Sequence, residues 1–208
     1  MFERFFSSFK MDPPATIPRP WSTDGTDPIA FSELMTRAAG CSFDGGLYRL
    51  HDLASSAQAD ALVRDAFPEL TGRIRCFGYD WLGRQFGLDA ARLEGGERLV
   101  AMAEPGTGEL LQIPANFAAF HEDELVSYGE AALARAGFED WSRANPGVVP
   151  LAATDCVGYS VPLFLGGSDT PDNFEVIDID VYWTICGQLR QGTRTMPAGT
   201  TIRELTIR

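Results

Sequence analysis

The centre of the chain, residues 73–113, most limits the folds open to it. Arg73-Ile74-Arg75-Cys76-Phe77 alternates charged and apolar side chains, the period-two pattern of a half-buried strand. Gly83 marks a turn before a second extended run, Arg84 to Leu88. Arg98 to Ala103 and Glu109 to Ile113 then flank Pro105-Gly106-Thr107-Gly108, a strong hairpin signal. Together these runs predict an antiparallel meander of four or five strands.

Helical periodicity lies on either side. Phe2, Phe5, Phe6 and Phe9 fall at i, i+3, i+4 and i+7, one apolar stripe on a short helix that docks on its own domain. A proline-rich connector follows from Met11 to Thr26, with Trp21 as the side chain able to pin it. A second helix is expected with Asp27 as N-cap and Pro28 at its first position, burying Phe31, Leu34, Met35 and Ala38 before Gly40 ends it. Leu47 to Leu50 reads as a short strand. Ser55 with Gln58 forms a capping-box pattern opening a helix to about Phe67, its inner face Ala59, Leu62, Val63 and Ala66.

Beyond the meander, Leu125, Tyr128, Ala132, Leu133 and Ala136 share a helical face, interrupted at Gly137 and ended at Asn145-Pro146. A last helix runs from about Asp178 or Asp180 to Gln191, although Ile177 to Val181 alternates like a strand as well. Thr200 to Ile207 has the pattern of a late edge strand. The order implies an α+β fold, an antiparallel β-meander packed against several helices. Residues 1–70 form a helical and turn module, 71–191 a sheet with C-terminal helices, and 192–208 a tail, packed as one unit.

Charge narrows the partners. The formal net charge is -12 over 208 residues, which argues against nucleic acid or an anionic membrane surface as direct partner. It suits a basic protein partner, and it also serves solubility. Cys41, Cys76, Cys156 and Cys186 are widely spaced with no Cys-x-x-Cys pair, as expected of reduced thiols in a reducing compartment. Charged residues interrupt the N-terminal phenylalanines, so no secretory h-region is read there, and a cytoplasmic location is expected.

Catalytic patterns are missing. The two histidines, His51 and His121, have no metal-ligand spacing around them, and no Gly-x-Ser-x-Gly elbow supplies a nucleophile to His51-Asp52. Gly166-Gly167-Ser168 lacks the following Lys of a phosphate cradle. No cofactor or metal is called for, and the expectation is a binding protein that is not an enzyme.

One stretch is more specific. Asp155-Cys156-Val157-Gly158-Tyr159-Ser160-Val161-Pro162-Leu163-Phe164-Leu165-Gly166-Gly167-Ser168-Asp169 resembles the signature segment of a domain found in type VI secretion immunity proteins, including those that neutralise DNase effectors. Asn173 to Val176 and Trp183 to Leu189 are similar to the same domain's closing helix. Upstream, Gly40 to Leu50 resembles the glycine-rich segment of a GAD-like module that precedes this domain, and Cys76 to Arg84 resembles the strand-turn-strand of the sheet.

The resemblance implies an antitoxin that binds a cognate secreted effector, a nuclease among the candidates, and blocks its active site or substrate groove. Candidate contact groups are Glu122, Asp123 and Glu124, with Asp169, Asp172, Glu175, Asp178 and Asp180. Each also has a plain reading as solvated surface or helix N-cap. The runner-up is a ligand-sensing module with a pocket lined by Tyr79, Trp81, Phe86, Tyr159 and Trp183, and a third is an enzyme using Cys156 or Ser160.

Overall fold

The computed structural model describes residues 1–13, 21 and 28–197. The expected N-cap Asp27 and the expected edge strand from Thr200 lie outside the described residues. Six strands, β1 (Ser42–Phe43), β2 (Tyr48–Leu50), β3 (Ile74–Asp80), β4 (Gln85–Glu94), β5 (Glu97–Glu104) and β6 (Glu109–Asn116), form one antiparallel sheet in chain order. This is the predicted meander, extended at one edge by the short β1–β2 hairpin, with β2 paired to β3 through Tyr48↔Asp80 and Leu50↔Gly78. The fold is α+β, a meander packed against helices.

Period-two alternation sends side chains to two different cores. Phe77, Phe86, Leu88, Val100 and Met102 join the larger one, while Cys76 and Ala103 join the smaller. The larger core is roofed by α1 (Glu3–Ser8), α2 (Ile29–Ala38) and a broken helical run from Phe117 to Ala144. The smaller lies under α3 (Leu53–Ala66) and α8 (Ile179–Thr193), the element that follows a second, two-stranded sheet of β7 (Asp155–Tyr159) and β8 (Phe174–Asp178).

The aromatic stripe on α1 docks inward. Phe2, Phe5 and Phe9 are buried, and Phe5 meets the rings of Phe43, Tyr48 and His121 at centroid distances of 5.0, 6.1 and 5.3 Å. Trp21 is buried against Phe31, ring centroids 5.3 Å apart.

Three expectations are corrected. Helix α3 is capped by Asp52, not Ser55: the Asp52 carboxylate accepts from Ser55 N at 2.8 Å, and Ser55 Oγ accepts from Asp52 N at 3.0 Å. Ser55 is thus the third helical residue of a reciprocal box, a role its hydroxyl fills as well as a Glu or Gln would. The helix expected after His121 is a series of short pieces, α4 (Phe117–Ala119), a π-turn at Phe120–Glu124, α5 (Leu125–Ser127), α6 (Gly129–Leu133) and α7 (Arg135–Ala144). The main break is Ala134, at φ 49°, and Gly137 sits inside α7 where it faces the Trp81 ring. Tyr128, expected on the inner face, is exposed.

The turn between β3 and β4 joins all these layers. Asp80 is fully buried, and its carboxylate takes Arg84 Nε at 2.6 Å and the backbone N–H groups of Leu82 and Arg84 at 3.1 and 3.0 Å. Arg84 also donates to Ala132 O at 3.1 Å, and Trp81 Nε1 donates to Leu133 O at 2.8 Å, fixing α6. Val157 N reaches Trp81 O at 2.7 Å and Trp183 Nε1 reaches Gly83 O at 2.7 Å, fixing β7 and α8. Gly83 takes φ 75°, and an added Cβ would stand only 3.0 Å from Cys156 Sγ, so the turn favours glycine.

Asp80→Asn leaves the Arg84 guanidinium buried without its counter-charge, and is expected to cost about 3–5 kcal/mol. Urea unfolding at pH 7 measures this, and Asp80→Asn/Arg84→Met should recover much of the loss. A single-variant loss below about 1 kcal/mol, well under the range for a broken buried pair, would refute the role of this turn.

Candidate partner-binding site

The acidic residues singled out in the sequence separate into two places. Glu122 and Asp123, in the π-turn, hold α1: Glu122 Oε1 accepts from Phe5 N at 3.1 Å, and Asp123 pairs with Arg4, which also donates to Ser127 Oγ at 3.1 Å. Glu124 continues the same turn. An anionic group beside the first turn of a helix is favoured by the unsatisfied N–H groups there, which is what Glu122 provides for α1.

The second group lies in the C-terminal part. Asp178 caps α8, accepting from Asp180 N and Val181 N, both at 3.0 Å. Asp180 begins the helix, and burial followed by the Asp178 charge raises its carboxyl above the usual range. Glu175 and Asp172 are exposed on β8 and the turn before it. Asp169 accepts the Tyr159 hydroxyl at 2.8 Å.

Asp169 alone of the eight opens onto a cleft of about 640 Å³ at the junction of the meander and the C-terminal part. The β5–β6 turn forms one wall, supplying Glu104 and Thr107. Helices α6 and α7 form another with Glu130, Asp140 and Trp141, and the third holds Tyr159, Asp169 and Phe174. Trp81 lies among these walls, 6.1 Å from the Trp141 ring and 6.0 Å from that of Phe174.

The walls are locked together. Leu163 N donates to Gly106 O at 2.8 Å, and Arg190 Nε donates to Gly108 O at 2.8 Å. Gly106 lies so close to Tyr159 that a Cβ there would stand 2.5 Å from its ring, so the hairpin can approach β7 only with glycine at its tip.

Sequence reasoning missed Glu104, Trp141 and the other two carboxylates of the cleft. The available signal was the pair Glu104 and Glu109 on either side of Pro105-Gly106-Thr107-Gly108, like charges that a hairpin must place opposite each other. Of the aromatics proposed for a ligand pocket, Trp81 and Tyr159 line the cleft, whereas Phe86 and Trp183 are core residues.

The groups considered for chemistry are engaged structurally. His121 is fully buried; Nδ1 bonds the Phe117 carbonyl at 2.8 Å, which must accept, so Nε2 receives the Tyr48 hydroxyl at 2.9 Å. His51 stacks on Tyr79 at 4.6 Å and bonds Gln85 Oε1 through Nε2 at 2.8 Å. Burial lowers His51 to about 4 and His121 to about 3. Cys156 is fully buried and burial raises its thiol, so no reactive thiolate forms there. Among the described residues, no cluster of three His, Cys, Asp or Glu side chains is arranged to hold a metal, and no helix is long and apolar enough to cross a membrane.

The segment that builds the third wall is similar to a known family. Residues 142–190 match the family model described as T6SS immunity protein Tdi1, C-terminal. The chain carries a Tdi1-type immunity domain at its C-terminus. The match contains the run 155–169 and most of α8, and with them Tyr159, Asp169 and Phe174 of the cleft. The immunity domain agrees with a chain that acts without catalysis. Among solved structures, the crystal structure of Atu4351 from Agrobacterium tumefaciens is similar, with a TM-score of 0.54 and 13% identity over 90% of this chain and 89% of that one. That likeness is one of fold. The comparison with curated proteins gave no match.

The two histidines make stability fall with acid. Each is neutral when folded and titrates near 6.5 when unfolded, so the unfolded chain binds more protons below that pH. Stability should be complete above about pH 7 and fall below about 6.5, by about 1.4 kcal/mol per pH unit for each fully titrating histidine. Urea unfolding between about pH 7.5 and 5 tests this, and His51→Gln should remove one histidine's share of the slope. A flat profile in the wild type would show that the histidines are not buried as described.

Proposed function

We propose that this protein is an immunity protein that binds one cognate secreted toxin and covers its working surface. The observation that carries the reading is the Tdi1-type domain over 142–190, which supplies one wall of a cleft lined by carboxylates. Immunity proteins of this type pair with a secreted toxin, and a toxin-binding role needs a surface, not a reaction centre.

The toxin's contacting face is basic, as the substrate groove of a nuclease is. A net charge of -12 supports this, because opposite potentials speed the encounter and disfavour wrong partners. Binding takes place in the cytoplasm of the cell that makes the toxin, before the toxin reaches its target. The covered toxin is held inactive by occlusion, so no atom of this chain need take part in the toxin's chemistry.

Co-expression with the effector encoded by the adjacent gene tests the proposal. The expected result is restored growth, a stable purified complex, and an association rate that drops at least tenfold between low and high salt. Continued killing by a toxic effector in the presence of folded protein, with no complex recovered, would overturn it.

A further inference from the structure

The edge of a sheet is a row of backbone donors and acceptors that folded proteins cover, interrupt or leave open to another strand. Of the four edges of the two sheets, three are covered or interrupted. Residues 10–12 lie along β1, where Met11 bridges Phe43 and Asp12 N donates to Ser42 O at 2.9 Å. Pro114 and a register shift between Leu99 and Ala101 interrupt β6. The β3–β4 turn lies against β7, where Val157 N reaches Trp81 O. The outer edge of β8 is the exception: its chief neighbours are β7 on one side and α8 beyond its end.

The register shows which groups face outward. Ile179 N donates to Thr154 O and Ser160 N to Asn173 O, both at 2.8 Å, on the same register that pairs Cys156 with Ile177 and Gly158 with Glu175. Bonded and non-bonded pairs alternate in an antiparallel ladder, so Glu175 and Ile177 turn their N–H and C=O groups toward β7. Phe174 O, Val176 N, Val176 O and Asp178 N point away from it, and none of them has a partner among the described residues. Val176 is 42% exposed at the centre of this edge. Two more exposed valines flank it, Val161, whose N–H donates to Asn173 Oδ1 just before β8, and Val181 in the first turn of α8.

Charge selects what can pair there. Asp172, Glu175, Asp178 and Asp180 are all exposed, and no Lys or Arg lies between Asp172 and Asp180. A second copy laid on the same edge sets these carboxylates against their own kind, which destabilises a ladder. A basic strand meets opposite charge along its whole length.

Resting on the toxin-binding reading, we propose that the outer edge of β8 is where the toxin docks, through an extended basic segment that joins the β7–β8 sheet as a third, antiparallel strand. Val176 gives a donor and an acceptor to the residue opposite it, and Asp178 N and Phe174 O extend the ladder on either side. Basic side chains of the segment lie opposite Glu175 and Asp178, with an apolar one opposite Val176. The backbone supplies affinity and the side chains fix the register. The edge lies inside the Tdi1-type match, on the opposite side of β8 from β7.

Amide hydrogen exchange of the full chain, read by NMR with and without the toxin of the adjacent gene, tests the proposal. In the free protein the Glu175 and Ile177 amides should be protected, and those of Val176 and Asp178 should exchange freely. In the complex the latter two should slow at least a hundred-fold. Val176→Pro removes a donor that the free fold does not use, so it should keep the melting temperature within about 4 °C and weaken the complex at least a hundred-fold. Glu175→Lys should weaken it at least tenfold, most strongly at low salt. If Val176→Pro fails to fold, exchange in the wild type decides alone. The capped heptapeptide Thr-Arg-Ile-Val-Arg-Ile-Thr is a probe independent of the toxin; at millimolar concentration it should protect the Val176 and Asp178 amides, and its counterpart with glutamate for arginine should not.

A toxin complex in which those two amides exchange as freely as before overturns the docking edge and leaves the immunity reading standing. Protection by the arginine peptide, with no complex and no rescue by the wild type, upholds the edge as a basic-strand site and overturns the toxin reading. Neither complex nor peptide response overturns both. Protection already present in the free protein overturns the proposal too: its loss on dilution names a second copy as the occupant, and its loss when the chain is ended at Pro197 names the chain's own residues 198–208.

Discussion

Burial of the Asp80–Arg84 pair is the constraint from which the rest of the architecture follows. Two charges removed from water are stabilising only if their remaining donors and acceptors are also matched. Asp80 meets that condition through the Leu82 and Arg84 backbone, and Arg84 through the Ala132 carbonyl. Satisfying the pair therefore fixes the shape of the β3–β4 turn and brings the end of α6 to it. Once the turn has that shape, the outward carbonyls of Trp81 and Gly83 are the natural partners of Val157 N and Trp183 Nε1. One ion pair thus positions the meander, the helical roof and the C-terminal part relative to one another, and the cleft lies where the three meet.

The meander was legible because its signals are local. Alternation at Arg73 to Phe77 and the Pro105-to-Gly108 turn depend on neighbours in sequence, and the structure keeps both. The inward docking of the phenylalanine stripe was legible for the same reason. The break at Ala134 was not, since alanine favours helix and carries no mark of the positive φ that packing imposes. Asp155 to Tyr159 was missed as a strand because its pairing partner, Phe174 to Asp178, follows a long connection containing two 3₁₀ turns.

The site was legible only in part, for a physical reason. Acidic residues can be counted in a sequence, but their engagement is set by tertiary contacts. Glu122 and Asp123 secure α1, and Asp178 caps α8, so three conspicuous acids have structural partners that no periodicity announces. Glu104 looked like an ordinary strand end. Its environment becomes unusual only when Tyr159 and Asp169 are brought across from residues more than fifty positions away.

This division of the acids bears on how a protein with so much negative charge can be selective. Carboxylates that cap helices or pair with arginine have their lone pairs occupied, and a basic partner gains little specific energy from them beyond long-range attraction. A half-buried carboxylate such as Glu104 differs: its charge is screened less than that of an exposed one, and part of its desolvation precedes any encounter. On the proposed toxin-binding reading, long-range charge governs how fast the encounter occurs, while desolvated contacts within the interface govern which partner remains. A fold that locks its hairpin to the immunity domain through Gly106 and Tyr159 keeps those groups in place beforehand, so little ordering is left to oppose binding.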